Sequence, residues 1–109
     1  MPRLDFYSDF KLFLTVKLED KDVLLGRGEH CDVQLPDDRV SREHALIRAT
    51  SDGYTLEDRS RNGTRVNFEM VNDATVLSGG DRIYVGDFSI IFQDDDTAIS
   101  QTSDDTTLF

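Results

Sequence analysis

Three clusters in this chain carry side chains suited to holding an anion. They are Gly26-Arg27-Gly28, Ser41-Arg42-Glu43-His44 and Ser60-Arg61-Asn62-Gly63-Thr64, the last followed by Val66-Asn67. Each lies at a turn signal between short apolar runs, and loops held by a rigid scaffold are where binding groups tend to sit. Arginine presents a fixed fork of N–H donors, serine a hydroxyl, and asparagine both a donor and an acceptor. A phosphate ester, with about −1.5 to −2 charges and three strong acceptor oxygens, is the group these side chains match best.

The surroundings sharpen that reading. The chain has 109 residues and a formal net charge of −10, from 12 Lys+Arg against 22 Asp+Glu. Five of the acids (Asp94, Asp95, Asp96, Asp104 and Asp105) follow Gln93 with no base among them, which leaves the body with 12 bases against 17 acids. A body of that sign does not attract nucleic acid or anionic membrane through a long-range field, but it can hold one anionic group in a small arginine-lined site. No apolar run approaches the roughly 20 residues of a membrane-spanning helix. The N-terminus lacks the basic-then-apolar order of a secretory signal. The lone Cys31 cannot form a disulfide within its own domain, which points to a reducing, cytoplasmic setting and a buried, inert thiol.

The elements that must position the clusters read as strands. In Lys11–Leu18, alternation places Leu12, Leu14, Val16 and Leu18 on one face, with Phe13 breaking the pattern. Val23-Leu24-Leu25 and Asp32–Leu35 are short runs closed by Gly26 and Pro36. Ala45–Thr50 and Tyr54–Asp58 flank Ser51-Asp52-Gly53, a hairpin signal. Further runs are Thr64–Val66, Ala74–Leu77, Arg82–Val85 and Ser89–Phe92, with no sustained helical spacing anywhere. Many short strands separated by Gly, Asn and Asp turns predict an all-β sandwich or barrel. Residues 1–10 read as an N-terminal extension, residues 11–93 as the domain, and residues 94–109 as a flexible acidic tail or linker too poor in apolar groups to offset its ordering entropy.

In this order and at these intervals, the three clusters resemble a forkhead-associated (FHA) domain. Leu77-Ser78-Gly79-Gly80-Asp81-Arg82-Ile83 with Val85-Gly86 is similar to that family's closing strands. The resemblance covers roughly residues 11 to 93 and implies a β-sandwich of about eleven strands with phosphothreonine-peptide-binding loops at one end. By position it implies that Arg27 binds phosphate, Ser41 donates to a phosphate oxygen, and Arg42 adds a second contact. Asn62 would grip the peptide main chain with help from Arg61. Gly26, Gly63 and Thr64 shape the turns, and His44 ties the loops together without touching ligand. The family often selects the third residue after the phosphothreonine; Arg39, two residues before Ser41, is the candidate for that choice and would favour an acid there. Arg59 and Arg65 read as surface charge.

Two departures stand out. Phe68 replaces the glycine on which the family usually turns after Val66-Asn67, and Arg61 is bulkier than is common there. The implied partner is a phosphothreonine-containing protein made by a serine/threonine kinase, in a signalling context without cofactor. Thr97, Thr102, Thr106 and Thr107 are possible phosphoacceptors that would let the tail dock on its own domain. An enzyme is disfavoured because no Gly-x-Ser-x-Gly elbow or paired acid stands out. A metal site is disfavoured because His30, Cys31 and His44 lack ligand spacing. The alternative is a phosphate-independent interaction or dimerisation domain that binds through a sheet face.

Overall fold

A computed structural model describes residues 2–94. Its strands are β1 (Arg3–Ser8), β2 (Lys11–Lys17), β3 (Val23–Gly26), β4 (Val33–Gln34), β5 (Ala45–Thr50), β6 (Gly53–Asp58), β7 (Arg65–Val66), β8 (Glu69–Met70), β9 (Ala74–Val76), β10 (Arg82–Val85) and β11 (Phe88–Gln93). They form a six-stranded sheet in the order β2-β1-β11-β10-β7-β8 and a five-stranded sheet in the order β4-β3-β5-β6-β9. The expected all-β sandwich is therefore the observed architecture.

Alternation explains the core. Ala45 and Ile47 of β5 and Tyr54 and Leu56 of β6 point inward from one sheet, and Ile83, Val85, Ile90 and Phe92 of β10 and β11 from the other. Each such large side chain contributes about 1.5–3 kcal/mol when fully buried. Register keeps the inward residues together: Ile47 faces Leu56, and Ile83 faces Ile90.

The N-terminal segment corrects the sequence reading. The residues expected to be an extension form β1, an inner strand that pairs with both β2 and β11 and buries Leu4 and Phe6 completely. Asp5, between them, is also buried; its carboxylate accepts from Arg3 Nε at 3.2 Å and Thr15 Oγ1 at 3.0 Å. β2 differs from expectation in the opposite sense. It is an edge strand, and Leu12, Phe13 and Leu14 are 54%, 48% and 38% exposed, although alternation had put Leu12 and Leu14 on a core face. The pairing shifts between Phe6 and Tyr7, leaving Phe13 as the extra residue of a β-bulge. That bulge reverses the face of Leu12 relative to Leu14.

The hairpin after β7 closes without the family's usual glycine. Asn67 takes the left-handed conformation, at φ 57°, and Phe68 stands 97% exposed. Arg65 then pairs with Met70 and Val66 with Glu69.

Candidate functional site

β3 ends at Gly26, where a Cβ would collide with the Arg42 carbonyl. That close approach lets two loops zip together: Arg27 N–H donates to the Ser41 carbonyl at 2.9 Å, and Gly28 N–H to the Arg42 carbonyl at 3.1 Å. Cys31 is buried beside them, with its thiol directed at the same Arg42 carbonyl at 3.0 Å. Burial pushes that thiol above its ordinary pKa, so it is a weak nucleophile. The Arg27 side chain is aimed by one bond, from Nε to the Val40 carbonyl at 2.9 Å.

His44 joins this pair of loops to a third. It is fully buried. Its Nδ1 accepts the Ser41 N–H at 2.9 Å, and its Nε2 donates to the Gly63 carbonyl at 3.0 Å. An imidazole that accepts on one nitrogen and donates on the other is neutral. Burial pushes its pKa below the ordinary value, against the smaller opposing pulls of the Gly63 carbonyl and the Asp58 charge.

The third loop, between β6 and β7, is organised by a residue that sequence reading passed over. One Asp58 carboxylate oxygen accepts from Ser60 N–H at 3.0 Å, Ser60 Oγ at 2.6 Å and the buried Thr64 Oγ1 at 2.9 Å. Ser60 Oγ in turn accepts the Gly63 N–H at 2.7 Å. The signal was present as Asp58-Arg59-Ser60, the spacing at which an aspartate caps the backbone two residues on. Gly63 adopts φ +101°, and a Cβ there would meet Met70. This geometry requires glycine.

Ser41 and Asn62 complete the junction. Ser41 Oγ accepts the Arg61 N–H at 2.9 Å, which leaves its own hydroxyl proton for another acceptor. Asn62 Nδ2 donates to the Arg39 carbonyl at 3.2 Å.

All five residues expected to bind phosphopeptide, Arg27, Ser41, Arg42, Arg61 and Asn62, line one open depression of about 590 Å³, together with Arg39, Arg59 and Ser60. Asp38 is the single acid in its lining. Two of the arginines are neutralised locally. Arg59 faces Glu43 at 3.5 Å and Glu57 at 3.8 Å, and Arg39 pairs with Asp37 at 3.5 Å and with Asp87. Arg27, Arg42 and Arg61 have no ion pair among the described residues. The depression therefore joins three guanidinium groups without an ion pair among the described residues to a hydroxyl donor and a primary amide, which suits a small oxyanion attached to a backbone. Thr97, Thr102, Thr106 and Thr107 lie outside the described residues.

A β-sandwich with its loops gathered in this way is the FHA architecture, and the FHA domain family model matches residues 23–86. The chain belongs to the FHA domain family. It is 42% identical over 76 residues to an oxoglutarate dehydrogenase inhibitor of Corynebacterium jeikeium, a match covering 69% of this chain and 52% of that protein. An FHA domain solved in a study of phosphothreonine-dependent FHA interactions superposes with a TM-score of 0.75 at 34% identity, covering 84% of this chain and 94% of that one. Mycobacterium tuberculosis EmbR in complex with a low-affinity phosphopeptide superposes with a TM-score of 0.71 at 31% identity, covering 84% of this chain and 24% of that one. The chain thus spans about half of the first of these relatives and a smaller part of EmbR.

Proposed function

We propose that this chain is a non-enzymatic phosphothreonine-peptide-binding module of the cytoplasm. In this reading it recruits a partner protein after a serine/threonine kinase has acted on it. The observation that carries the proposal is the convergence of Arg27, Ser41, Arg42, Arg61 and Asn62 on one depression. Arg27 and Arg42 hold the phosphate, Ser41 donates its free hydroxyl proton to one phosphate oxygen, and Arg61 adds field from the opposite loop. Asn62 pairs with the peptide main chain, which offers both a donor and an acceptor. Charge-assisted hydrogen bonds contribute roughly 1.5–3 kcal/mol each. Two or three of them supply much of the about 8 kcal/mol of a micromolar complex. The FHA relatives solved with a phosphopeptide or in phosphothreonine-dependent interactions support the same assignment.

The test is a titration of one threonine peptide with and without its phosphate, read by calorimetry or fluorescence anisotropy. Binding of the phosphorylated form alone is the expected result. Equal binding of both would replace this reading with phosphate-independent association, for which the exposed edge strand β2 offers one surface.

A further inference from the structure

Beside the depression lies a second cleft, lined by Arg39, Asn62, Gly63, Arg65, Met70, Tyr84 and Gly86. Arg39 and Asn62 belong to both, so the two are contiguous and one extended peptide can reach across them. Three features decide what the second cleft accepts. Its walls are Met70 and the ring of Tyr84. Arg65 lies over that ring with its guanidinium carbon 5.1 Å from the centroid, an attraction that sets the group against the aromatic face while it keeps its charge. Arg39, the other cation, is held by Asp37 and Asp87.

The hold on Arg39 is part of the loop's construction. Asp37 accepts the Arg39 backbone N–H at 2.8 Å as well as its Nε. The bond from that backbone N–H is the main cause of the Asp37 carboxyl lying below the usual carboxylate range, so the charge that faces Arg39 persists through neutral and mildly acidic pH. Asp87 reaches Arg39 from the turn between β10 and β11. Gly86 brings that turn close: its φ is +57°, and a Cβ there would crowd Val40 at 2.8 Å. Two carboxylates around one guanidinium leave no net attraction for a third.

We propose that Asp87, acting through Arg39 and assisted by Asp37, sets the peptide preference of this domain: the neighbouring cleft takes an apolar side chain beside the phosphothreonine and rejects an acidic one. This rests on the phosphothreonine reading above and reverses the acidic preference that an arginine at position 39 suggests in the sequence. Asp87 is a positioning residue in this scheme. It touches Arg39 and leaves the phosphate to Arg27, Ser41 and Arg42.

The experiment uses a phosphothreonine peptide with alanine at every flanking position, and single replacements by leucine or aspartate at each of those positions. The wild-type chain is expected to bind one leucine peptide several-fold more tightly than the aspartate peptide of the same position. Asp87→Asn should narrow that ratio about two- to fivefold at that position alone, the range an exposed ion pair allows, measured relative to the all-alanine phosphopeptide, which takes up the general effect of releasing Arg39 in the first depression. Arg39→Ala combined with Asp87→Asn should abolish the gain for aspartate, because no guanidinium remains to be released. Thermal melting of each variant checks the fold, and Asp87 sits on an exposed turn.

A wild-type preference for aspartate, an Asp87→Asn effect equal across all peptides, or an aspartate gain that survives loss of Arg39 would each overturn the proposal. If the unphosphorylated all-alanine peptide bound as well as the phosphorylated one, the phosphothreonine reading itself would fail. Phosphate-dependent binding without the leucine preference would overturn the specificity inference alone.

Discussion

The loop cluster around His44 and the outer edge of β2 both meet solvent, yet they are built by opposite means. At the loops, the backbone bonds from Arg27 to Ser41 and from Gly28 to Arg42 are joined by a set that runs between polar side chains and main-chain groups: His44 to Ser41 and Gly63, Asp58 to Ser60, Ser41 to Arg61, and Asn62 to Arg39. At β2 the backbone is fixed by its ladder to β1, and Leu12, Phe13 and Leu14 are only partly covered, with the Phe13 ring packed beside Phe6 and Phe88. The difference teaches where sequence change is tolerated. Polar side chains at the loops are structural in the sense that core leucines are, whereas on the edge Leu12, the most exposed of the three, contributes least.

That contrast can be broken by substitution. His44→Ala should have the largest effect on stability. It removes both loop bonds of a buried ring and leaves the Ser41 N–H and the Gly63 carbonyl without partners, at a cost of about 2–4 kcal/mol. Chemical denaturation should show this loss together with weaker phosphopeptide binding; a melt like the wild type's would mean that the loops stand without the histidine. Arg27→Ala should separate binding from folding. Loss of one charge-assisted contact of roughly 1.5–3 kcal/mol corresponds to about ten- to hundredfold weaker phosphopeptide binding, with the denaturation midpoint unmoved. A variant that binds normally would remove Arg27 from the site.

The pH response sharpens the same comparison. Burial depresses His44 from its ordinary value of 6.5, so the unfolded chain takes up a proton before the folded one does. Stability is therefore complete above about pH 6.5 and is lost as pH falls toward the depressed folded value. Asp37 and Glu43, held low by Arg39 and His30 respectively, give up their contributions only in the more acidic carboxylate range. Denaturation midpoints followed from pH 7.5 to about 5 should fall in the wild type and stay flatter in His44→Ala. Binding should weaken over the same interval as the phosphate approaches its second pKa near 6.

The smallest effect is expected at the edge. Leu12→Lys should change stability by less than about 0.5 kcal/mol and leave phosphopeptide affinity alone. A large loss would show that the edge is covered in solution.

How much of this was legible in the sequence depended on how local the cause was. β5, β6, β10 and β11 announced themselves because alternation and a nearby turn suffice to define them. The five residues that converge on the depression were legible because each sits in a short cluster whose chemistry is visible in one place. β1 was not, since its inner position depends on β11 at the far end of the domain, and Asp5 interrupts its apolar pattern. The turn that follows hid for a related reason: Asp9 and Phe10 take φ values of 53° and 66°, a conformation usually signalled by Asn-Gly. The roles of Asp58 and Asp87 were missed for different reasons. Asp58 acts on its own loop through an unremarked two-residue spacing, and Asp87 acts on Arg39 across the fold.

One N–H of the Asn62 amide is already committed. It donates to the main-chain oxygen of Arg39, which leaves the second N–H and Oδ1 for the backbone of a ligand. The bond also holds the amide in place before any ligand arrives, so less rotamer freedom remains to be lost at that side chain. Its other end is the segment that carries Arg39. In the proposed scheme, grip on the main chain and choice of the neighbouring side chain therefore share a single peptide unit.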